Sequence, residues 1–312
     1  MSIRVTRLPD AEPGERHVAI GTFDGVHVGH RAVIDGADTV LTFEPHPLSI
    51  LHPEATPKLI MPFEIKRDVI DGLGVSELVV IPFDEEFTRI PAEEFVSGVL
   101  VERLGAKEVS VGENFRFGAR ARGDPEMLAS HDGFETRVVP LVEVDGETVS
   151  STRIRALIAA GDVAAAGRCL GAPFLLEGEV MEGDRRGRTL GFPTANLVPD
   201  DSLAVPGHGV YAGFANGNPA AINVGVRPMF ETGRGLLVEA YLFDFDGDLY
   251  GQGLRIAFIE RLRGERRFPS VEDLVAQMHR DVEEARELCA SFTASSDSGA
   301  EHRGQRPRLR GE

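Results

Sequence analysis

The ten residues GTFDGVHVGH, at positions 21–30, combine three glycines and two histidines between an apolar run and a segment with helical character. Three interpretations of this loop compete. Histidines three positions apart, His27 and His30, suggest a metal site. Glycines in a turn before a helix are typical of a phosphate site, and the tripeptide FDG could form the turn of a β-hairpin. The choice among them decides the fold of this half of the chain.

The residues around the loop favour the phosphate site. Zinc requires three or four ligands, and no Glu precedes the second His as it does in the HExxH pattern. The residues after FDG do not return as a strand, so a strand, a glycine turn and a helix N-terminus remain, where free N–H groups attract phosphate. Gly25 and Gly29 let the backbone approach a phosphate, and His27 and His30 can donate hydrogen bonds to a transferring phosphorus. One packed and one solvated histidine is the alternative.

Apolar runs alternate with helical patterns in the first half of the chain. The runs HVAIGTF, DTVLTFEP, ELVVIPF, KEVSVGENF and TRVVPLVEV are predicted strands, several of them buried on both faces. Between them, FEIKRDVIDGLG places Ile65, Val69 and Leu73 four positions apart and ends in Gly, and PAEEFVSGVLVERLG begins with Pro and ends in Gly. Strands that alternate with helices predict a parallel α/β sheet in a domain of residues 1–172.

The pattern changes after residue 172. The segments FLLEGEVME, GVYAGFANGNPAAINVG and LLVEAYLFDFDGDLYGQGLRIAFIERL are predicted strands joined by Asn-Gly and Asp-Gly turns. They indicate an antiparallel β-barrel domain over residues 173–292, which ends in a helix with Ser270 and Asp273 as its capping pair. Residues 293–312 are polar and are predicted to form a disordered tail.

The composition restricts the partners of the chain. It has 33 Lys and Arg against 50 Asp and Glu, a net charge of −17, and neutralising a nucleic acid backbone requires clustered positive charge. The two cysteines, Cys169 and Cys289, fit a reducing compartment and exclude a disulfide framework. No run is apolar enough for a leader or a membrane span. We therefore expect a cytoplasmic protein that binds neither nucleic acid nor a membrane, and its oligomeric state is left open.

Two motifs resemble those of the nucleotidyltransferase superfamily, whose members attack the α-phosphate of a nucleoside triphosphate without a covalent intermediate. HVGH after GTFDG resembles the HxGH signature, and SSTRIR at residues 150–155 is similar to the second ATP motif, ISSTxIR. The resemblance implies a Rossmann-like parallel sheet in which His27 and His30 stabilise the pentacoordinate phosphorus. By itself, SSTRIR could be an ordinary Ser/Thr helix cap. The implied ATP- and phosphate-binding residues are Gly21, Thr22, Phe23, Asp24, Gly25, Gly29, Asn114, Ser151, Thr152 and Arg155.

Two further segments narrow the resemblance. Together with the loop, TFEPHP and VGENFRFG resemble the N-terminal module of the bacterial bifunctional riboflavin kinase/FAD synthetases, which is an FMN adenylyltransferase. The resemblance implies that Asn114, Phe115 and Phe117 lie near the nucleotide or the flavin, and that His46 and Pro47 bind the flavin. From the residues alone, the two phenylalanines are equally compatible with the core.

The segment GDRRGRTLGFPTAN nearly spells a P-loop, but the spacing is one residue short, Arg188 replaces Lys, and Pro193 prevents the helix that a P-loop opens. A cationic glycine-rich loop with Gly187 and Arg188 over phosphates fits better. Thr194 and Asn196 face the same way on an extended segment. Their hydroxyl and amide oxygens suit a Mg²⁺ ion that bridges nucleotide phosphates. An Asn/Thr turn is the alternative.

The second domain also resembles a module of these bifunctional enzymes, the riboflavin kinase. GRTLGFPTANL, GVYAG, INVGVRPMF, VEAYLFDFDGDLYG and the helix after RRFPS match it in order, up to residue 289. The resemblance assigns Glu239 as the general base that deprotonates the ribityl hydroxyl, and Phe192 to flavin binding. DFDGDLYG is predicted to be a hairpin turn and not an EF-hand, because Gly247 is its fourth residue and Arg255 stands where a bidentate Glu is needed.

The resemblance covers about residues 15–289 and implies an enzyme that phosphorylates riboflavin to FMN with ATP and Mg²⁺, and transfers AMP from ATP to FMN to give FAD. One departure stands out. Only twelve residues separate His30 from Phe43, so the first helix has room for two turns at most. Either this helix is clipped or the ATP side is altered. A riboflavin kinase with an impaired adenylyltransferase domain, or a non-catalytic flavin- or nucleotide-binding regulator, are the alternatives.

Overall fold

The structure is a computed structural model, and it describes residues 2–181, 192–226 and 236–298. The chain divides into two compact units, residues 1–151 and residues 152–312. This division lies before the predicted domain boundary at residue 172. Each unit is described by itself.

The first unit contains the predicted parallel sheet. Its strand order is β1-β4-β3-β2-β5-β6, and every neighbouring pair is parallel. The edge strand β1 was not predicted, because its four residues RVTR are short and polar. The strands are β1 (Arg4–Arg7), β2 (Arg16–Ile20), β3 (Thr39–Glu44), β4 (Glu77–Pro82), β5 (Ala106–Gly112) and β6 (Glu135–Val139), followed by a two-stranded pair of β7 (Glu143–Val144) and β8 (Glu147–Thr148).

Helices cover the central strands of this sheet. Residues of β3 and β4 are buried on both faces, for example Val40, Leu41, Leu78 and Val79, as in parallel sheets flanked by helices. The helices of this unit are α1 (Val28–Ile34), α2 (Pro47–Leu51), α3 (Phe63–Asp71), α4 (Ala92–Glu94), which continues as a π-helical segment (Phe95–Arg103), and α5 (Pro125–Ala129), with 3₁₀ turns at Leu8–Asp10, Pro53–Ala55, Phe87–Arg89 and Ala119–Ala121.

The strand order reverses beside β2, and this places the first loop. After β2 the chain adds β3 and β4 on one side, and then returns to place β5 and β6 on the other. Ligands of open parallel sheets bind at the carboxyl ends of the strands at such a switch point. The loop at residues 21–27 and the turn after β5 both start from this point.

The first helix is as short as the sequence predicted. Helix α1 has seven residues, and the connection from β2 to β3 still forms a parallel crossover. The Arg137 guanidinium on β6 donates hydrogen bonds to the carbonyls of Ala32 (3.3 Å), Val33 (2.9 Å) and Asp35 (2.6 Å) at the end of this helix. Since terminal carbonyls lack partners within a helix, Arg137 completes the clipped end.

The second unit contains the predicted antiparallel barrel. It closes in the order β10-β13-β12-β11-β14-β9, with β9 paired to β10. Asn216 and Gly217, with φ of 45° and 81°, form the predicted Asn-Gly turn between β11 and β12. The elements of this unit are α6 (Ser151–Ala160), which begins at the last residue of the first unit, α7 (Val163–Leu170), β9 (Phe174–Met181), β10 (Ala195–Leu197), β11 (Gly209–Ala215), β12 (Asn218–Val226), β13 (Leu236–Leu242), β14 (Gly253–Arg263) and α8 (Val271–Ser298).

Two predictions for this unit are wrong. The segment DFDGDLYG is not a hairpin turn, because β13 pairs with β10 and β12 while β14 pairs with β9 and β11. Helix α8 runs to Ser298, so the first six residues of the predicted tail are helical. The rest of that tail lies outside the described residues.

The cysteines and the helices are relevant to the compartment and membrane predictions. Cys169 and Cys289 are buried and form no disulfide. Among the described residues, no helix is both long and apolar enough to cross a membrane.

Candidate active sites

The loop after β2 has an unusual backbone. Gly25 has a φ of 91°, and the non-glycine residues Phe23 and Val26 also have positive φ, at 50° and 39°. Such conformations are costly for residues with a Cβ and concentrate at functional sites. Both side chains are buried, 1% and 0% exposed, so packing holds the loop in this shape.

The two histidines of the loop are stacked and neutral. Their ring centroids are 3.5 Å apart with an interplanar angle of 16°. His27 Nδ1 accepts a hydrogen bond from the His30 backbone N–H at 3.2 Å, which caps α1. The proton of a neutral His27 is therefore on Nε2. Burial lowers the pKa of His27 to about 4. Burial, followed by the charges of His27 and Lys66, holds the pKa of His30 well below its usual range.

The aromatic rings of the loop also explain two of its glycines. A Cβ on Gly29 would lie 3.2 Å from the His27 ring, and a Cβ on Gly21 would lie 3.0 Å from the Phe23 ring. Such distances are tight, so larger residues would displace the rings. Both glycines therefore support the positions of aromatic rings.

This environment predicts a loss of stability in acid. Unfolded His27 binds its proton near pH 6.5 and folded His27 only near pH 4. The stability that depends on a neutral His27 is complete above pH 6.5 and is lost as the pH falls through 4. The free energy of unfolding decreases by ~3 kcal/mol in total. We expect the first unit to become easier to unfold with urea between pH 7 and pH 4.5.

Far-UV circular dichroism measures this unfolding, and tyrosine fluorescence isolates the second unit, because the three tyrosines are Tyr211, Tyr241 and Tyr250 and the chain has no Trp. The His27→Asn variant is the matched control, since Asn caps helices without titrating. If this variant loses stability with falling pH as steeply as the parent, His27 is not the cause.

A contact between distant residues joins the two ATP motifs. The Ser151 hydroxyl donates a hydrogen bond to the Asp24 carbonyl at 2.9 Å, across 127 residues of sequence. The Asp24 carboxylate accepts the Ile60 N–H at 2.9 Å. Thr152 is exposed and Arg155 is half-buried on α6, and both belong to the second unit.

A pocket opens beside this loop. His46, a predicted flavin-binding residue, lines it and caps α2 by accepting the Leu48 N–H at 3.2 Å. Pro47, the other flavin prediction from TFEPHP, is the first residue of α2 and is half-buried. The residues that line the pocket are Thr22, Asp24, Phe43, Glu44, His46, Leu59, Met61, Phe63 and Lys66.

The residues of the segment after β5 lie partly on the surface and partly in the core. Asn114 is exposed in the turn at the carboxyl end of β5, the strand next to β2. Phe117 is buried in the hydrophobic core, and Phe115 packs against that core with its ring stacked on Phe117 at 5.6 Å. The core interpretation therefore holds for Phe117.

A row of polar side chains crosses three strands of the barrel. The register pairs Glu239 on β13 with Asn196 on β10 and with Asn223 on β12. Val238 and Ala240, the neighbours of Glu239, are fully buried, so the row lies on the opposite, outer face of the barrel wall. Asn223 Nδ2 donates a hydrogen bond to Glu239 Oε2 at 3.2 Å. This bond orients the carboxylate.

Asn196 has a buried acceptor without a partner. Its side chain is 6% exposed, and its Oδ1 is buried with no hydrogen-bond partner among the described residues. Its Nδ2 donates to the Thr194 carbonyl at 3.5 Å, a long bond. A buried acceptor without a partner costs about 1–3 kcal/mol, so this oxygen is free to bind a ligand.

The flavin prediction for Phe192 falls on an aromatic cluster. Its ring is 4% exposed and packs edge-on against Tyr241 at 5.3 Å and His279 at 5.0 Å. Gly187 and Arg188, the predicted phosphate-binding residues, lie outside the described residues.

Sequence reasoning missed two polar residues at these sites. Lys66 is buried beside the first loop; its place on the apolar face of α3 was the available signal. Asn223 contacts Glu239, and the quoted segment INVGVRPMF contains it without any motif that marks its partner.

Among the residues that the structure describes, no group of three or more His, Cys, Asp or Glu could hold a metal ion. The predicted magnesium ligands, Thr194 and Asn196, are not among these four residue types, so this finding does not concern them.

Two family models match the chain side by side. The FAD synthetase model matches residues 10–153, and the riboflavin kinase model matches residues 170–289. The bifunctional riboflavin kinase/FMN adenylyltransferase of Bacillus subtilis (strain 168) is 36% identical over 295 residues, 88% of this chain and 92% of the relative. That of Escherichia coli (strain K12) is 36% identical over 289 residues, 87% of this chain and 92% of the relative.

A crystal structure from Streptococcus pneumoniae shares the fold. It has a TM-score of 0.82 and 32% identity, and the match covers 91% of this chain and 99% of that one. It is described as a macrolide-efflux protein, a description that concerns the Streptococcus protein alone. Both modules, in order and over nearly full length, show that this chain belongs to the bifunctional riboflavin kinase/FMN adenylyltransferase family.

Proposed function

We propose that the chain carries both activities of its family, one in each unit. The first unit transfers AMP from ATP to FMN, giving FAD and pyrophosphate, and the second phosphorylates riboflavin to FMN with ATP. The observation that supports the first activity is the hydrogen bond from the Ser151 hydroxyl to the Asp24 carbonyl, which ties the start of the SSTRIR segment to the first loop within the first unit.

Adenylyl transfer requires stabilisation of negative charge at the α-phosphorus. The two neutral rings of His27 and His30 supply N–H donors there. His27 is held in the tautomer with Nε2–H by its cap, and His30 Nδ1 is buried without a partner among the described residues. Donors that are already oriented stabilise a developing charge more strongly than mobile water does.

The remaining residues of the first site bind the substrates. The loop residues Gly21 to Gly25, with Gly29, bind ATP phosphates through their backbone. Ser151, Thr152 and Arg155 add hydroxyl and guanidinium donors for phosphate oxygens. Asn114 binds the nucleotide, and His46 and Pro47 bind the flavin.

In the second unit, Glu239 acts as the general base. Its carboxylate accepts the proton of the ribityl hydroxyl while that oxygen attacks the γ-phosphate of ATP. The Asn223 amide keeps the carboxylate in place. Phe192 binds the flavin, and Gly187 with Arg188 binds the phosphates.

Thr194 and Asn196 fit a magnesium ion. The orphaned Oδ1 of Asn196 is an oxygen ligand of the type that Mg²⁺ prefers, and Thr194 adds a hydroxyl on the same face. A bound Mg²⁺ supplies charge neutralisation at the phosphates. We also propose a cytoplasmic location, which the two cysteines outside any disulfide support.

The magnesium site is tested by titrating Mg²⁺ in the kinase assay. Removing the oxygen ligand in Asn196→Leu is expected to raise the half-saturating Mg²⁺ concentration by about tenfold or more. Asn196→Asp keeps an oxygen and is expected to titrate close to the parent. Asn223→Leu is the matched control, with a lower rate and the same half-saturation. A parent-like titration of Asn196→Leu would remove Asn196 from the metal site.

The experiment for the function as a whole is product analysis. We expect riboflavin, ATP and Mg²⁺ to give FMN first and then FAD with pyrophosphate. FMN without FAD, from supplied FMN as well as from riboflavin, would instead indicate a monofunctional kinase. Flavin binding with no ATP-dependent product would indicate a regulator.

A further inference from the structure

Lys66 is a buried cation on the inner face of α3. Its neighbours on that face are Ile65, Val69 and Ile70, and only 7% of Lys66 is exposed. Lysine is almost never this buried unless it is paired, because desolvating an ammonium is costly.

The contacts of Lys66 point toward the first loop. Its Nζ donates a hydrogen bond to the Thr22 carbonyl at 3.3 Å and lies 3.7 Å from Glu44 Oε2. The Glu44 side chain is 42% exposed. Burial lowers the pKa of Lys66, while the charges of Glu44 and Asp24 act to raise it. The half-exposed Glu44 and the buried Asp24 thus offset the burial of this cation only in part.

The pocket beside Lys66 is lined by this one cation, by the carboxylates of Asp24 and Glu44, and by an apolar wall. Among the described residues that line it, Lys66 is the one Lys or Arg. Phe43, Leu59, Met61 and Phe63 form the apolar wall. Lys66 is therefore the lining residue that can contact an anionic group of a ligand.

Lys66 also acts on His30, one of the two histidines proposed to stabilise the transferring phosphorus. Its charge lowers the pKa of His30, so the ammonium lies within electrostatic reach of that ring. The reaction brings two anions to this place, because a phosphate oxygen of FMN must approach the α-phosphate of ATP. A fixed cation in a partly desolvated site reduces their mutual repulsion.

We propose that Lys66 is a substrate-binding residue of the adenylyl-transfer site, and that its ammonium contacts a phosphate oxygen of FMN or of ATP. In the reaction, the bond from FMN oxygen to the α-phosphorus forms and the bond from the α-phosphorus to the β-phosphate oxygen breaks. No proton moves to or from Lys66 in this step. This inference rests on the proposed adenylyl transfer in the first unit.

The test compares Lys66→Met with Lys66→Arg and with Arg67→Met in the full-length chain. Arg67 is the next residue of α3, is half-exposed, and pairs with Asp68 at 2.7 Å, so Arg67→Met removes a cation that does not line the pocket. FAD formation is measured at varied FMN and at varied ATP, and FMN formation from riboflavin is the internal reference.

We expect Lys66→Met to lower kcat/KM for FAD formation at least thirtyfold, with FMN formation within twofold of the parent. Lys66→Arg is expected to recover part of the loss, and Arg67→Met to match the parent. A rise in KM for FMN alone assigns the contact to the FMN phosphate. A rise in KM for ATP, with weaker inhibition by inorganic pyrophosphate, assigns it to ATP.

Two results would overturn the inference. One is FAD formation within threefold of the parent in Lys66→Met; if the parent forms FAD, the proposed function then stands without Lys66. The other is an equal loss of FAD formation in Lys66→Met and Lys66→Arg, accompanied by a lower melting temperature of both variants. That result would indicate a structural role for Lys66. If Lys66→Met does not fold, Lys66→Gln is measured against the same two criteria.

Discussion

The His30→Ala variant is expected to lose FAD formation by about 10²–10³-fold or more, while it still converts riboflavin to FMN. Removing one oriented donor from a developing charge has an effect of this size. His30 is placed for that role by a stack on His27 at 3.5 Å and an edge contact with Phe23 at 5.3 Å. The measurement follows FAD and pyrophosphate from FMN and ATP, and FMN from riboflavin, in one preparation.

A matched variant separates chemistry from packing. Alanine leaves a cavity between two rings, whereas His30→Gln keeps bulk and an N–H donor, so we expect Gln to recover part of the rate. Thermal unfolding of both variants shows whether the loop survives. Equal loss of FAD and FMN formation in His30→Ala would contradict the assignment of the two activities to separate sites.

The Glu239→Gln variant is expected to show the opposite pattern. FMN formation should fall by about 10²–10⁴-fold, the range that a general base contributes, and FAD formation from supplied FMN should stay at the parent level. Glutamine has the shape of glutamate, and its carbonyl oxygen can still accept the bond from Asn223. The fold is therefore retained while the basic group is lost.

Binding measurements complete the test of Glu239. Quenching of riboflavin fluorescence should give a similar dissociation constant for parent and Glu239→Gln, because the change removes a proton acceptor and no contact to the ring. The Asn223→Leu variant is expected to show a smaller loss, since it disturbs only the orientation of the carboxylate. An undiminished kinase rate in Glu239→Gln would remove this residue from the mechanism.

Much of the fold follows from patterns that are local in sequence. Apolar runs alternate with helical stripes in the first half, and such alternation has only one common solution, a parallel sheet. The Asn-Gly turn at Asn216 and Gly217 predicts the hairpin of β11 and β12 because few other dipeptides adopt positive φ twice. The Asp-Gly dipeptide led to the wrong prediction of a hairpin at DFDGDLYG, because a turn dipeptide does not determine which strands pair across a closed barrel.

The site was predictable where a motif carries its own geometry. His27 and His30 are three residues apart at the start of one short helix, so the sequence spacing alone predicts that they lie close together. For Thr194 and Asn196, the alternation of an extended chain predicts a shared face. Lys66 was missed although it lies on the apolar face of α3, because a lysine at such a position is usually solvated and the packing decides that this one is buried.

The sequence by itself determined the class of both units, the family resemblance and the short length of α1, because these depend on local periodicity, motif order and chain length. The tertiary structure alone decided which strands pair, that Ser151 meets the Asp24 carbonyl across 127 residues, and that Asn223 holds Glu239. Those contacts join residues far apart in the chain, and such pairs meet only when a packed core or a closed barrel fixes the distance between them.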